Sequence, residues 1–101
     1  MIKDFAEKDH IAFKKHSILR MYERNIIADE VKGILISGEI IESYLEDRPL
    51  PSCLILGYTT KQRPIHVVVS VDKEEQMLWV ITVYIPSLEE WEEGFRRRKT
   101  K

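Results

Sequence analysis

The hydrophobic period changes once along this chain. Through residue 37 the apolar positions recur at helical spacing, and from Glu39 onward they alternate with polar ones, as in strands. Helices first and strands afterwards exclude alternating βαβ units and imply an α+β fold. After a loosely amphipathic opening segment, residues 17–25 are expected to form a helix with Ile18, Met21 and Tyr22 on its apolar stripe, ended by Asn25. A second helix should follow, with Asp29 as N-cap, Val31, Ile34 and Leu35 as the stripe, and Gly38 at the left-handed C-terminal position. The alternating half divides into EIIESYL, CLILGYT, PIHVVVSV and MLWVITVYI, expected to be four antiparallel strands. DKEEQ is the last hairpin loop, and Pro49, Pro51 and Pro64 punctuate the earlier connections. The tail SLEEWEEGFRRRKTK spaces Leu88, Trp91 and Phe95 helically behind a serine, so a short C-terminal helix is expected to dock by those side chains. Val67, Val69, Val71, Ile81 and Val83 should belong to the core.

At 101 residues and 44% hydrophobic content, the chain suits one core and a single domain over residues 1–101. Charged residues make up 33%, but the formal net charge is -1, so any anion-binding surface must be local. The run Arg96, Arg97, Arg98, Lys99 follows Glu89, Glu90, Glu92 and Glu93, the charge order that a helix macrodipole favours; phosphate contact by the run is the alternative. The single cysteine, Cys53, excludes an internal disulfide and has no CxxC partner, so it reads as a buried structural thiol. The opening MIKDFAEKDH lacks a signal-peptide apolar region, and no run approaches the roughly 20 apolar residues of a membrane span. A cytoplasmic protein without membrane association is the expectation. His10, His16 and His66 show no zinc spacing, so neither a metal nor another cofactor is expected.

Two groups of polar residues stand out. His16, Arg20 and Arg24 follow one another at four-residue steps in KHSILRMYER, each about 40° round the helix from the last at about 100° per residue. They point away from the stripe of Ile18, Met21 and Tyr22. Such a row is either a solvated face, with Arg20 and Glu23 as an ordinary i, i+3 pair, or a cationic rim where guanidinium forks meet phosphate beside a proton-exchanging histidine. The second group lies on the last two strands. With a five-residue loop, Val71 faces Met77, His66 falls opposite Thr82, and Tyr84 sits one diagonal step away on the same face. A loop one residue shorter or longer would separate them. Read from the residues alone, His66 is either a satisfied strand histidine or part of a convergent polar site.

Taken together, HSILRMYER, EVKGILISGEIIESY with the D-x-P of Asp47 to Pro49, CLILGY, PIHVVVSVD, and WVITVYIP with a closing tryptophan and arginines resemble a small bacterial family of unknown function. The likeness covers residues 13–98. In architecture that family resembles RelE-like and MqsR-like (BECR-fold) ribonuclease toxins, which place two helices before a curved antiparallel sheet, and it is associated with neighbouring zinc-finger antitoxins. The resemblance implies a toxin of a type II toxin–antitoxin pair, an endoribonuclease acting on mRNA without metal, with RNA and a cognate zinc-finger antitoxin as partners. It carries the family's polar signature onto His16, Arg20, Arg24, His66, Thr82 and Tyr84. Under that reading His66 and His16 supply base or acid, Arg20 and Arg24 the cations for a phosphorane, and Tyr84 a hydrogen bond or acid. RelE-like toxins are usually basic, whereas this chain is not. The alternative is a non-enzymatic binding or adaptor domain in which the same side chains form a structural network.

Overall fold

A computed structural model describes residues 1–100 of the chain. The elements are α1 (Ile2–Glu7), β1 (Ile11–Phe13), α2 (Lys15–Glu23), α3 (Ala28–Ser37), β2 (Glu39–Tyr44), β3 (Ser52–Tyr58), β4 (Pro64–Asp72) and β5 (Met77–Tyr84). Over the described residues the fold is α+β, with three helices and a five-stranded mixed sheet in the order β1-β5-β4-β3-β2. β2 to β5 form the expected antiparallel meander. The fifth strand corrects the four-stranded expectation: Ile11, Ala12 and Phe13 lie parallel to Leu78, Trp79 and Val80 at the sheet edge. A three-residue strand is too short to declare a period.

The helices cover one face of the sheet. Ala6, Met21, Ile26, Val31, Ile34 and Leu35 pack there against Cys53 and Ile55 of β3, Val67 and Val69 of β4, and Leu78, Val80 and Val83 of β5. Val67, Val69 and Val83 are core residues as expected and Val71 packs partly buried against them, but Ile81 is half-buried and lines a cavity with Val68 and Trp79. The reason is a β-bulge between Val68 and Val69, which shifts the β4–β5 register by one residue.

α2 buries a different stripe from the one expected. Met21 is buried, but Ile18 and Tyr22 are exposed and Ser17 takes the buried place. Ser17 Oγ donates to the Lys14 carbonyl (2.7 Å), and the Lys14 N–H in turn bonds Val80 in the sheet (3.0 Å). The helix therefore starts directly from the sheet edge, where a small side chain fits and an isoleucine does not. Asn25, at φ 58°, stops the chain just beyond this helix. α3 begins earlier than Asp29: Ile27 is its N-cap, and its N–H donates to the Glu30 carboxylate (3.1 Å).

Gly38 ends α3 in an extended conformation rather than the left-handed one expected. Its smallness is needed for contact: a Cβ would lie 2.5 Å from the Ile34 carbonyl and 2.8 Å from the Leu56 carbonyl. Gly33, inside α3, has open space where its Cβ would be. Gly38→Ala should therefore destabilise by about 1–3 kcal/mol through overpacking, while Gly33→Ala should stabilise by up to about 1 kcal/mol through helix propensity. Urea midpoints moving in the same direction for both would refute this contrast.

The expected C-terminal helix does not form. Residues 85–100 run as turns with one antiparallel bridge, Trp91 to Arg98. Gly94 and Phe95 take positive φ, Glu92 N–H bonds the Arg97 carbonyl (2.8 Å), and Lys99 N–H bonds the Glu90 carbonyl (2.9 Å). A helix here would stack Glu89 on Glu92 and Glu93 at like-charge spacing and place Gly94 in its interior, both unfavourable. Of the three docking residues expected, Trp91 is buried, Phe95 is half-buried, and Leu88 is 54% exposed.

Candidate functional site

The sheet face away from the helices gathers the polar side chains. His66 pairs directly with Tyr84, and Val68 with Thr82. The loop is one residue shorter than expected, with Asp72 opposite Met77, which alone would have separated His66 from Tyr84. The bulge between Val68 and Val69 restores the parity. The two shifts add to two residues, which keeps the parity but moves the partner: His66 meets Tyr84 instead of Thr82, and Thr82 lies one pair further along the same face.

Another bulge, between Ile40 and Glu42 in β2, brings Glu39 and Glu42 onto this face, opposite Leu56 and Leu54. The C-terminal segment crosses above them. Arg96 Nε pairs with Glu39 (2.7 Å), and Arg98 contacts both Glu42 oxygens (3.0 and 3.1 Å). Tyr44 O–H also donates to Glu42. Trp91 stands edge-on to the His66 ring with centroids 4.4 Å apart, and the Arg98 guanidinium lies 4.6 Å from the Trp91 ring centre.

His66 sits at the centre of this cluster with 0% exposure. Its Nε2 is 2.9 Å from the Phe95 carbonyl, which can only accept, so Nε2 carries the proton. Its Nδ1 therefore accepts from the Tyr84 hydroxyl, 3.1 Å away. Burial lowers the His66 pKa, against the opposing pull of the Phe95 carbonyl and Glu42. Burial likewise pushes the Tyr84 hydroxyl up to about 12. For Glu42, burial would raise the pKa, but the hydrogen bonds from Arg98 and Tyr44 outweigh it and hold the carboxyl below its ordinary value. The cluster at neutral pH is thus a neutral histidine, two neutral tyrosines, a carboxylate and an arginine.

The sign of these shifts fixes a pH dependence. Unfolded His66 takes up a proton as pH falls through 6.5, whereas folded His66 does so only at lower pH, so its contribution to stability is complete above 6.5 and declines below it. Glu42 acts in the same sense below its ordinary 4.5, losing its contribution as pH falls through the lowered value. Melting temperature should therefore fall as pH drops below 6.5, and His66→Gln should flatten the upper part of that slope. An unchanged slope in the variant would remove His66 as its source.

The helix residues singled out by spacing do not join the cluster. His16 is exposed, Arg20 Nη1 pairs with Glu23 (3.1 Å), and Arg24 lies 3.9 Å from the same carboxylate. The side of α2 that is buried, at Met21, packs with Val67, Val69 and Val83, which alternate along β4 and β5 with His66 and Tyr84. The sheet thus stands between the two groups, and the expected polar pocket joining His16 and Arg20 to His66 is not formed. Sequence spacing missed Glu42, Tyr44, Trp91 and Arg98. The i, i+2 arginines at 96 and 98 were the available signal, since an extended segment turns both to one side.

Cys53 is buried, and desolvation raises its thiol to about 11. Among the described residues no helix is long and apolar enough to cross a membrane, and no three His, Cys, Asp or Glu side chains are grouped as a metal site. Neither a curated protein nor a solved structure matches the chain. A family model, described as "Domain of unknown function (DUF4258)", matches residues 13–85, a span that includes α2, α3 and the whole β2–β5 meander. The chain belongs to that domain family of unknown function.

Proposed function

We propose that this protein is the toxin of a type II toxin–antitoxin pair, a cytoplasmic endoribonuclease that cleaves mRNA without a metal on the sheet face carrying His66. The observation that carries the reading is the cluster itself: one face unites a neutral histidine, a tyrosine that keeps its proton, a carboxylate and an arginine around Tyr84, His66, Glu42 and Arg98. Cleavage through the 2′-hydroxyl needs a base for its proton, an acid for the leaving oxygen, and a cation for the phosphorane. His66 is the base, Tyr84 the acid or hydrogen-bond donor, and Arg98 the cation. Because Trp91 and Phe95 cover His66, RNA reaches it only when residues 91–95 lift, while the Glu42 pair keeps Arg98 at the site. Thr82 borders the cluster, while His16, Arg20 and Arg24 fall on α2 and stay outside it. The resemblance to RelE-like and MqsR-like toxins adds RNA as substrate and a zinc-finger antitoxin as partner.

One observation favours a second reading, a non-enzymatic adaptor: His66 is fully buried and both its nitrogens already have partners. Induction in cells with and without the neighbouring antitoxin gene separates the two, beside an RNA-cleavage assay with purified protein in EDTA. Growth arrest relieved by the neighbour, with EDTA-resistant cleavage, is expected. Normal growth and intact RNA would leave the adaptor.

A further inference from the structure

The same sheet face holds a cavity of about 360 Å³ beside the His66 cluster, spanning β3, β4 and β5. Its floor is Val68, Ser70 and Trp79, and the loop before β3 supplies Arg48 and Leu50. Along β4, Val68 lies two residues and Ser70 four residues from His66, so the cavity begins roughly 7 Å from the cluster and reaches roughly 13 Å from it at the rise of a strand.

Its charge is local and positive. Lys14, the residue before α2, reaches over the edge to place Nζ 4.9 Å from the Trp79 ring centre. Arg48 Nη1 donates to the Glu46 and Asp47 carbonyls (2.9 and 3.1 Å), which fixes the guanidinium at the rim. Neither cation has a carboxylate within ion-pair distance among the described residues. The cavity's one carboxylate, Asp47, is held by the Ser52 hydroxyl at 2.5 Å. Two cations and one carboxylate thus rim an apolar floor with serine hydroxyls, in a chain of net charge -1.

We propose that this cavity is a binding subsite for one nucleotide of single-stranded RNA, its base on the floor formed by Trp79 and Val68 and its phosphate between Lys14 and Arg48. The size lies within the range of small-ligand sites. An apolar floor with an aromatic ring suits a base of any sequence once the Lys14 ammonium turns from the Trp79 ring to the phosphate, and two neighbouring cations suit that phosphate. The inference deepens the endoribonuclease reading and rests on it for the identity of the ligand. It gives the enzyme a grip on RNA that His66 and its neighbours do not provide, and explains how a chain without overall basic character can hold a polyanion.

A 2′-O-methyl RNA hexamer, which cannot be cleaved through its 2′-oxygen, is the probe. Titration should quench tryptophan fluorescence in the wild type, and Trp79→Phe should change that signal. The exposed double variant Lys14→Ala, Arg48→Ala should bind at least about tenfold more weakly, with a log–log salt slope shallower by roughly 0.7 for each phosphate that is no longer neutralised. Equal affinity of wild type and double variant, or no binding by the wild type, would overturn the subsite. Loss of antitoxin binding with RNA binding unchanged would make the cavity a protein contact and also overturn it. The cleavage assay is scored separately. Hexamer binding that needs Lys14 and Arg48 in a protein that cuts no RNA would keep the subsite and discard the nuclease.

Discussion

His66→Gln should lower RNA cleavage by roughly 10²- to 10⁴-fold, the usual contribution of a general acid or base, while the protein stays folded. Glutamine keeps an N–H to offer the Phe95 carbonyl and fits beside Trp91, but it cannot exchange a proton near neutral pH. His66→Ala is the contrasting variant. It strands the Tyr84 hydroxyl and the Phe95 carbonyl, now joined to His66 at 3.1 and 2.9 Å, and should cost about 1–3 kcal/mol in stability. At about 4–8 °C per kcal/mol for a domain of this size, thermal melts resolve that loss. Full cleavage by the glutamine variant would retire His66 as a base and leave it as a structural member of the network.

Trp91→Ala should be the most damaging single change in the C-terminal segment. The side chain is 2% exposed, edge-on to His66 and beneath Arg98. Removing a buried tryptophan costs about 3–5 kcal/mol, a large share of the roughly 5–15 kcal/mol that holds a domain folded. The ion pairs of Arg96 and Arg98 cannot compensate, because each is solvent-exposed on at least one side and such pairs contribute at most about 1 kcal/mol. Urea unfolding should show the loss, and trypsin should cut at Arg96 to Lys99 well before the rest of the chain. A variant with native stability and a protected tail would mean that some other contact holds the segment down.

The sequence reveals most about elements long enough to show a period. The change near residue 38 separates helices from meander, and Val67, Val69 and Val83 fall inside as alternation requires. Ser17 illustrates the limit of a polar-versus-apolar pattern, since its size rather than its polarity puts it under α2. Bulges are a second limit. One residue of extra backbone moves Ile81 off the core and brings Glu39 and Glu42 to one face, and nothing in composition marks the position. His66 and Tyr84 share a face, as their spacing implies, only because the loop and the bulge each shift the register by one residue in the same sense, and a shift of two keeps the parity. Glu42 and Arg98 lie 56 positions apart and meet only through the path of the tail, which local spacing does not encode.

The parallel edge strand bears on how the molecule opens. β2 to β5 are joined by short connections and pair with their sequence neighbours, so they can assemble from local contacts. β1 instead waits for β5, since Ile11 meets Leu78 near the far end of the chain, and only three residue pairs hold it. Loop closure on that scale must precede any gain from pairing. β1 is therefore the last strand to join and the first to detach, through partial opening that leaves the meander intact. Amide exchange at Ile11 to Lys14 should outpace that at Val67 and Val69. Lys14 travels with this strand, its N–H on Val80 and its ammonium over Trp79. The charge on one side of the cavity thus rests on the least cooperative piece of the fold, and a ligand that binds it also fastens the sheet edge.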